Sequence, residues 1–372
     1  MSAIMDDIKT STLSGPILIH GKGKISDYAY VLSVFKDSSY LLGALAAAFS
    51  IKQTGSPNDV VLMVTDIPND MISLAKQVFD KIYSVPYIKV NDRPLRTEKQ
   101  RERYGSWMSV ACTKWNCLAL VEYKKVMFVD ADKIILTNVD HLFELPTPAG
   151  TFSSPQAKGY CKNGGMYNPY LKLREGDTVS DSMISDGLDG SKGSSFTVIG
   201  TMLILTPSAD HYAKFKSMLE SYKNKPFGYG NCNSSIDEQA IVHFHSRHLS
   251  GMKWTYISQK HQWICWKPEW LRDEERKNTV IHYFNLKAWK LNRSEWPDLQ
   301  PWWTMVKLML EKTKWNGEER ERLEILYRKD QLEMKDLEGC FYCKLFSSRS
   351  SSDHSFMRAD GSIGCGTWNS QK

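Results

Sequence analysis

Two aspartates separated by a single residue, Asp130 and Asp132, are the side chains with the clearest chemical potential, in the stretch VMFVDADKIIL. Two carboxylates this close repel each other and are costly beside a core unless a cation lies between them. Oxygen ligands with open coordination positions suit Mg²⁺ or Mn²⁺ that is shared with a substrate phosphate. The pair therefore indicates metal-assisted chemistry on a phosphate-bearing substrate, although aspartates also commonly end strands and begin turns.

The Asp-x-Asp pattern by itself leaves three functions open. One is a phosphohydrolase of the haloacid-dehalogenase type, in which Asp130 is the nucleophile. That motif normally opens its fold and carries Thr or Val where this chain has Ile134, and here a long α/β pattern precedes it. The second is a nucleotide-sugar transferase whose metal bridges the pyrophosphate leaving group. The third is a non-catalytic relative that binds a UDP-sugar or a glycan.

Alternating strand and helix patterns must position the two aspartates. Strands are predicted at 29–35, 59–65, 81–85, 125–131, 196–206 and 280–284, and helices at 40–55, from 69 or 70 to 79, at 109–123, from about 208, and at 236–246. The strands are almost wholly apolar, which is typical of a parallel, doubly wound sheet covered by helices on both faces. Ligands of such sheets bind beyond the carboxyl ends of the strands, where Asp130 and Asp132 are predicted to lie. Side chains two apart on an extended backbone point the same way, so the pair can converge on one cation.

Composition narrows the classes of partner. The 372 residues carry a net charge of +6, which suits an anionic small molecule and falls short of a nucleic-acid-binding signature. The apolar run LLGALAAAF at 41–49 is shorter than the about 20 residues that span a bilayer. The first residues lack the apolar core of a signal peptide. We therefore expect a soluble cytoplasmic protein with no membrane span and no nucleic-acid partner.

The cysteines and the tryptophans each form a pattern that could indicate a further binding site. Cys340 and Cys343, with Cys365 and His354 downstream, have some of the spacing of a zinc knuckle, but the usual second pair is missing, so ordinary thiols are expected. Nine of the twelve tryptophans lie between Trp254 and Trp315. We predict that most of them pack a C-terminal subdomain, rather than form a platform for sugar rings.

Four sequence blocks around the aspartates carry a family resemblance. They are residues 113–143 (TKWNCLALVEYKKVMFVDADKIILTNVDHLF), 29–40, 237–240 (DEQA) and 282–289 (HYFNLKAW). In this order and spacing they resemble the glycogenin-like glycosyltransferases of family 8, over roughly 29–290. The segments ERYGSW and DEQ look most like the glycogenin-like transferases of large insect DNA viruses. This resemblance is far more specific than the Asp-x-Asp pattern alone.

The resemblance implies a GT-A fold, in which a Rossmann-like, mixed but mostly parallel sheet has helices on both faces. Its extent and the polar composition of both ends of the chain divide the sequence into an expected N-terminal extension (1–26), a catalytic domain (27–300), a C-terminal helical segment (301–335) and a flexible tail (336–372). It also implies a UDP-sugar donor, Mn²⁺ or Mg²⁺, and transfer with retention of the anomeric configuration. Glucose is the first expectation for the sugar and galactose the second. The acceptor is a glycan, a protein or a small molecule, and a homodimer is a candidate assembly.

Individual roles follow from the same resemblance. Asp130, Asp132 and His282 would ligate the metal, and Lys287 would grip the diphosphate. The remaining donor contacts would come from Val34, Tyr40, Lys114, Ala131 and Gly200, while Glu238 and Gln239 would face the sugar. A lone strand histidine is more often a packed core residue, and only the Lys-x-Trp after His282 favours the ligand role.

The chain also departs from the family pattern. Asn285 stands near an expected glycine, Ala288 replaces a proline, and Glu238 replaces the usual aspartate. The later strand reads Val-Ile-Gly at 198–200 where the family has Asn-Ser-Gly. These changes leave the identity of the sugar open without touching the metal ligands. Self-glucosylation on a tyrosine such as Tyr256 is a further hypothesis that no residue pattern singles out.

Overall fold

The computed structural model describes residues 14–21, 23, 25–90, 107–152, 173–181, 184, 198–222, 235–249, 251–264, 279–283, 287–292 and 299–333. The charge-dense connection at 91–105 and most of the Gly/Ser-rich stretch at 155–195 lie outside these residues. So do the zinc-knuckle cysteines, the N-terminal extension up to residue 13 and the tail. Cys112 and Cys117, which are described, are buried free thiols.

Eleven strands and seven α-helices make up the described part of the chain. The strands are β1 (Ile17–His20), β2 (Tyr28–Phe35), β3 (Asp59–Thr65), β4 (Lys81–Ser84), β5 (Lys125–Val129), β6 (Lys133–Ile135), β7 (Ala149–Phe152), β8 (Val198–Leu205), β9 (Thr255–Tyr256), β10 (Trp263–Ile264) and β11 (Val280–His282). The α-helices are α1 (Tyr40–Gln53), α2 (Asn69–Ala75), α3 (Ala209–Ser221), α4 (Ile236–His243), α5 (Gln300–Lys312), α6 (Gly317–Leu326) and α7 (Lys329–Glu333). The helix predicted at 109–123 is a 3₁₀ helix, Met108–Ala119.

The larger sheet has eight strands in the order β1-β4-β3-β2-β5-β8-β7-β9. Its centre is parallel, because β2 pairs in parallel with β3 and β5, and β3 pairs in parallel with β4. β8 runs antiparallel to β5 and β7, so the wholly parallel sheet that the strand pattern predicted is wrong there. The mixed, mostly parallel GT-A fold class that the family resemblance implied is confirmed.

Both faces of this sheet are covered, and the side-chain alternation of each central strand divides its residues between two cores. In β2, Tyr30, Leu32 and Val34 enter one core with α1, α2 and α5. Ala29 and Val31 enter the other core with the 3₁₀ helix, α3 and α4. Every second residue of an extended strand points to the same face, so a fully apolar strand serves two helical layers.

The C-terminal helices pack on the α1 face of the sheet. Trp302 and Trp303 are completely buried there, and the Tyr327 hydroxyl donates a hydrogen bond of 2.7 Å to the carbonyl oxygen of Leu42. The expected packing role is confirmed for these two tryptophans, whereas Trp254 is buried in the other core, on the opposite face of the sheet. The helical segment thus shares one core with the sheet. None of the helices in the described ranges is long and apolar enough to cross a membrane.

A smaller sheet of three strands, β10-β11-β6, lies next to the end of β5. β6 pairs antiparallel with β11, and this register places Lys133 opposite His282. β10 pairs in parallel with β11 on its other side. The small sheet therefore connects the residues that follow β5 with a segment nearly 150 positions later in the chain.

Candidate functional site

The two aspartates lie in the turn that joins the two sheets. β5 ends at Val129, two residues before the predicted end, and β6 begins at Lys133. The Asp130 amide donates to the carbonyl oxygen of Thr201 at 3.0 Å, and the Tyr283 amide donates to the carbonyl oxygen of Asp132 at 2.9 Å. The turn is thus hydrogen-bonded to β8 on one side and to the end of β11 on the other. A turn, rather than an extended strand, presents the pair.

His282 meets the aspartates because of the β6–β11 pairing. One ligand atom from each of Asp130, Asp132 and His282 lies within 4.8 Å of the others. Nε2 of His282 is 3.4 Å from Asp132 Oδ1, while the side-chain amide of Gln262 contacts its Nδ1 at 2.9 Å. Burial lowers the pKa of His282 to about 4, against the opposing charge of Asp132, so its ring is neutral near pH 7. A neutral imidazole held from its far side is the form that ligates metals.

Asp132 is the most constrained carboxylate of the cluster. Its Oδ2 contacts the Lys287 ammonium. Its buried Oδ1 has no hydrogen-bond partner among the described residues and faces the imidazole of His282. Burial raises the pKa of Asp132, but Lys287 and His282 outweigh it and hold that pKa well below its usual range. Asp132 is therefore an ionised carboxylate with one oxygen available to a further cation.

The negative charge of Asp130 is balanced by neighbouring positive charge less well than that of Asp132. Burial raises its pKa, Lys114 opposes the rise at an Nζ–Oδ1 distance of 3.4 Å, and the neighbouring Asp132 adds to it. This is the electrostatic repulsion that the sequence predicts for two close carboxylates. A divalent cation between Asp130 and Asp132 would offset it.

Lys114 ties three elements to the end of β5. From the 3₁₀ helix, its Nζ lies 2.8 Å from Asp237 Oδ2 in α4 and donates to the carbonyl oxygen of Gly200 in β8 at 3.3 Å. Burial alone lowers the pKa of Lys114, but Asp130 and Asp237 outweigh it and raise that pKa above its usual range. Lys114 therefore stays protonated and fixes the distance between Asp130 and α4.

Both carboxylate oxygens of Glu238 accept hydrogen bonds from backbone amides. Its Oε1 accepts a hydrogen bond of 2.8 Å from the Gly200 amide, and its Oε2 accepts one of 3.3 Å from Ser235, which completes a capping box at the start of α4. A Cβ on Gly200 would lie 2.7 Å from Glu238 Cγ, so only glycine allows this approach. Burial, followed by the charge of Asp237, raises the pKa of Glu238 to about 7. Gln239 follows it in α4 and is largely buried.

Aromatic and basic side chains flank the cluster at the start of α1. The rings of Tyr40 and Trp289 make an edge-to-face contact at 5.2 Å. Lys287 Nζ and Lys290 Nζ each lie 5.6 Å from the centre of the Tyr40 ring. Val34 lies in the α1-side core with 1% exposure, so its side chain offers little surface to a ligand. The structure thus places Tyr40 next to Lys287, whereas Val34 is buried in the core.

Several residues of the cluster were not predicted from the sequence. Gln262 links three groups: besides His282, its Nε2 donates to Thr201 Oγ1 at 2.9 Å and its Oε1 accepts from the Lys133 ammonium. Burial lowers the pKa of Lys133 to about 8. Lys133 and Asp237 are sequence neighbours of Asp132 and Glu238, which the resemblance had indicated. Their position in the sequence could therefore have identified them as residues of the site. Gln262 had none, since only the fold brings it to His282.

Gly43 permits the close approach of α1 to the aspartate turn. A Cβ at this position would lie 2.5 Å from the carbonyl oxygen of Ala131 and 2.3 Å from the ring of Trp289. We expect Gly43→Ala to lower the free energy of unfolding by about 1–3 kcal/mol, because overpacking outweighs the about 1 kcal/mol that alanine gains in helix propensity. Urea unfolding checks this. Gly317→Ala is the control, since a Cβ there meets nothing within 4 Å. Equal stability changes in the two variants would contradict the packing argument.

Sequence comparison finds glycosyltransferases among the relatives of this chain. An uncharacterised protein of Acanthamoeba polyphaga mimivirus is 34% identical over 165 residues, which cover 41% of this chain and 57% of that protein. Human glycogenin-1 is 31% identical over 121 residues, 32% of this chain and 33% of glycogenin. The UDP-glucuronate:xylan alpha-glucuronosyltransferase 1 of Arabidopsis thaliana is 23% identical over 264 residues, 70% of this chain and 32% of the plant enzyme.

The resemblance to glycogenin-like glycosyltransferases is confirmed by these matches, while the chain spans 57% or less of the length of each of the three relatives. No family model matches the chain. Among solved structures, the galactosyltransferase LgtC in complex with donor and acceptor sugar analogues aligns with 79% of this chain and 99% of its own, at 14% identity and a TM-score of 0.43. The finer likeness to insect-virus transferases stays a prediction.

Proposed function

We propose that this chain is a metal-dependent, retaining glycosyltransferase that moves a hexose from a UDP-sugar to a hydroxyl acceptor. The observation that carries the proposal is the convergence of Asp130, Asp132 and His282 beside the Lys287 ammonium. Two relatives support the reaction class, since one is a glycogenin and the other is a UDP-glucuronate:xylan glucuronosyltransferase.

The donor set of the cluster fits a divalent ion. Two carboxylates and one neutral imidazole offer two oxygen ligands and one nitrogen ligand, and a buried oxygen of Asp132 lacks a hydrogen-bond partner among the described residues. Mg²⁺ prefers oxygen ligands throughout, whereas imidazole is also acceptable to Mn²⁺. We therefore propose Mn²⁺ as the ion, with Mg²⁺ as the second choice.

Each residue of the site would have a separate role in the reaction. The bound ion would supply Lewis-acid stabilisation of the negative charge that develops on the departing diphosphate. Asp130, Asp132 and His282 would hold it, and Gln262 would keep the His282 ring in position. Lys287 neutralises Asp132 in the ligand-free protein and would stabilise the diphosphate once the metal supplies that charge. The bond from the anomeric carbon to the diphosphate oxygen breaks, a bond from that carbon to the acceptor oxygen forms, and UDP leaves while the acceptor's hydroxyl proton passes to the departing diphosphate or to solvent.

Glucose remains the first expectation for the sugar, and galactose the second. Glu238 is the predicted sugar-facing residue, but both of its oxygens accept hydrogen bonds from the backbone. We propose that it positions Gly200 and the start of α4 beside the donor, and that residues 27–300 form the catalytic domain. The cytoplasm is the proposed location, a glycan, protein or small molecule the proposed acceptor, and a homodimer a candidate assembly.

A panel of UDP-sugars tests the proposal. The full chain is incubated with Mn²⁺ and UDP-glucose, UDP-galactose or UDP-glucuronate, and the release of UDP and the melting temperature are measured. We expect one sugar to give UDP release, and the same sugar to raise the melting temperature, because a ligand that binds only the folded state stabilises it. EDTA should abolish both effects.

Each alternative function has its own outcome in this experiment. A higher melting temperature without UDP release would overturn catalysis in favour of a UDP-sugar-binding relative. Phosphate release from p-nitrophenyl phosphate that is lost in Asp130→Asn would favour the phosphohydrolase. No response to any UDP-sugar would overturn the proposal altogether.

Self-glycosylation is tested in the same reactions by intact mass. The earlier candidate Tyr256 is 5% exposed in β9, and burial raises the pKa of its hydroxyl to about 12, so this tyrosine is poorly suited as an acceptor. Hexose increments on the chain would support another acceptor residue, and their absence would leave an external acceptor.

A further inference from the structure

The site formed by Asp130, Asp132, His282 and Lys287 is called the proposed donor site. A second group of side chains of metal-binding types lies outside it. It consists of His141, Glu175 and His261, and one ligand atom from each lies within 4.8 Å of the others. His261 Nε2 is 2.8 Å from Glu175 Oε2, and His141 Nε2 is 3.4 Å from Glu175 Oε1. We name this group the His-Glu-His cluster.

Three separate chain segments meet in the His-Glu-His cluster. His141 lies in the 3₁₀ helix Asp140–Glu144, and His261 lies in the 3₁₀ helix Gln259–His261. Glu175 lies in a loop whose residues bond the edge of the large sheet: the amide of Gly176 donates to the carbonyl oxygen of Tyr256 at 2.9 Å. The cluster therefore spans positions 34 to 120 residues apart in the chain. A ligand bound by all three side chains would cross-link these segments.

The buried histidine is oriented from its far side. His261 has no exposed surface, and its Nδ1 contacts the Thr279 hydroxyl. This contact turns Nε2 toward Glu175. Metal-ligating histidines almost always have such a partner on the other ring nitrogen, because it fixes the ring and its tautomer. His141 is half exposed, so the opposite side of the cluster is open to solvent.

The separations between the imidazole nitrogens and the carboxylate oxygens are compatible with ligation of one metal ion. Bonds of about 2.0–2.1 Å to Zn²⁺ give a separation of about 3.3 Å between neighbouring ligand atoms. His261 Nε2 lies 2.8 Å from Glu175 Oε2 and His141 Nε2 lies 3.4 Å from Glu175 Oε1, so each imidazole is near one oxygen of the carboxylate at a separation comparable to that value. Two imidazoles and one carboxylate are also a donor set that binds Zn²⁺ with a water molecule in the fourth position.

A lysine competes with a metal for the carboxylate. Lys260 Nζ lies 3.5 Å from Glu175 Oε1, with a third of its side chain exposed. Because that ammonium reaches solvent, it can leave Glu175 at small cost when a divalent ion approaches. The three ligands then present one negative charge and two neutral rings to the ion.

We propose that the His-Glu-His cluster is a second metal site that takes a divalent transition ion of the Zn²⁺ type, which would cross-link the three segments that meet there. It would fix the segment that carries His261, whose next residue, Gln262, contacts His282 in the proposed donor site. The proposal concerns a different site and does not depend on the proposed transferase activity.

Cobalt substitution tests the proposal on the full chain. Co²⁺ in a tetrahedral site with nitrogen and oxygen ligands gives strong visible absorption bands, whereas ligation by cysteine adds a thiolate band in the near ultraviolet. The reduced protein is titrated with Co²⁺ as wild type, His141→Ala and Glu175→Gln. His248→Ala is the control, because His248 is an exposed histidine outside the cluster. The three ligands of the donor site are unchanged in all four proteins.

The expected result is one fewer strongly absorbing Co²⁺ equivalent in His141→Ala and in Glu175→Gln than in wild type and His248→Ala. Zn²⁺ should then raise the melting temperature of wild type more than that of His141→Ala. Identical titrations and melting shifts in wild type and His141→Ala would overturn the proposal and leave a metal-free ion-pair network. The metal-free melting curve of each variant checks its folding. Because the His141 side chain is exposed, metal-free His141→Ala should melt at nearly the same temperature as metal-free wild type.

Discussion

Asp132→Asn is expected to lower the rate of sugar transfer by about 1,000-fold or more, equivalent to about 4 kcal/mol of transition-state stabilisation. Asp132 contacts both His282 and Lys287, so its carboxylate links the proposed metal ligand to the proposed diphosphate contact. Asparagine keeps the size of the side chain but removes the charge. It therefore weakens the binding of a divalent ion and leaves the Lys287 ammonium without its ionised partner.

UDP release with saturating Mn²⁺ and donor measures this loss. The change in melting temperature on adding Mn²⁺ provides a second readout, and this shift should vanish in Asp132→Asn while wild type keeps it. Asp210→Asn is the matched control, because Asp210 is 63% exposed and pairs only with Lys214 one helical turn away among the described residues. Transfer by Asp132→Asn within several-fold of wild type, with its Mn²⁺ dependence intact, would contradict the assigned role.

Local sequence patterns were sufficient for the parts of the fold in which every residue serves a core. β2 and β3 are largely apolar because both of their faces are covered, and the predicted bounds agree with Tyr28–Phe35 and Asp59–Thr65 to within one residue. The direction of β8 was not predictable in the same way. An apolar strand looks alike in parallel and antiparallel pairing, and the connection that sets its direction runs through residues without a regular pattern.

The candidate site was predictable where its residues adjoin a motif. Asp130, Asp132, His282 and Lys287 were all assigned through the family resemblance, and the structure brings them together. Their convergence depends on the three-stranded sheet, whose very short strands carry almost no periodic signal.

Other contacts depend on long-range packing. Gln262 reaches His282 only because β10 and β11 pair in parallel. Gly43 lies in an ordinary helical pattern, and its need for close approach follows from where Trp289 lies. The hydrogen bond from the Gly200 amide to Glu238 likewise follows from how α4 packs on β8. No local pattern in the sequence encodes these contacts.

Lys287→Met is expected to lower the maximal rate of transfer by about 100-fold to 1,000-fold, a typical cost of removing one group that stabilises charge in a transition state. Methionine keeps much of the aliphatic length and removes the ammonium. Negative charge on the diphosphate is largest as UDP departs, so the loss should fall on the maximal rate more than on the affinity for UDP.

Lys290→Met is a closely matched control. The ammonium groups of Lys287 and Lys290 lie at the same distance, 5.6 Å, from the centre of the Tyr40 ring. Only Lys287 contacts Asp132, whereas Lys290 is half exposed and pairs with Asp37 at 3.1 Å. A general loss of positive charge beside Tyr40 would slow both variants alike, so a selective loss in Lys287→Met would identify the contact with Asp132 as the cause.

Metal binding should distinguish a positioning defect from a folding defect in Lys287→Met. Without the lysine, the buried carboxylate of Asp132 loses its contact with an ammonium group, so the metal-free variant should melt below wild type. Mn²⁺ supplies the missing charge, so it should raise the melting temperature of Lys287→Met by more than it raises that of wild type. A smaller Mn²⁺ shift than wild type, or transfer slowed equally in Lys290→Met, would show that Lys287 does not neutralise Asp132 in the way the structure indicates.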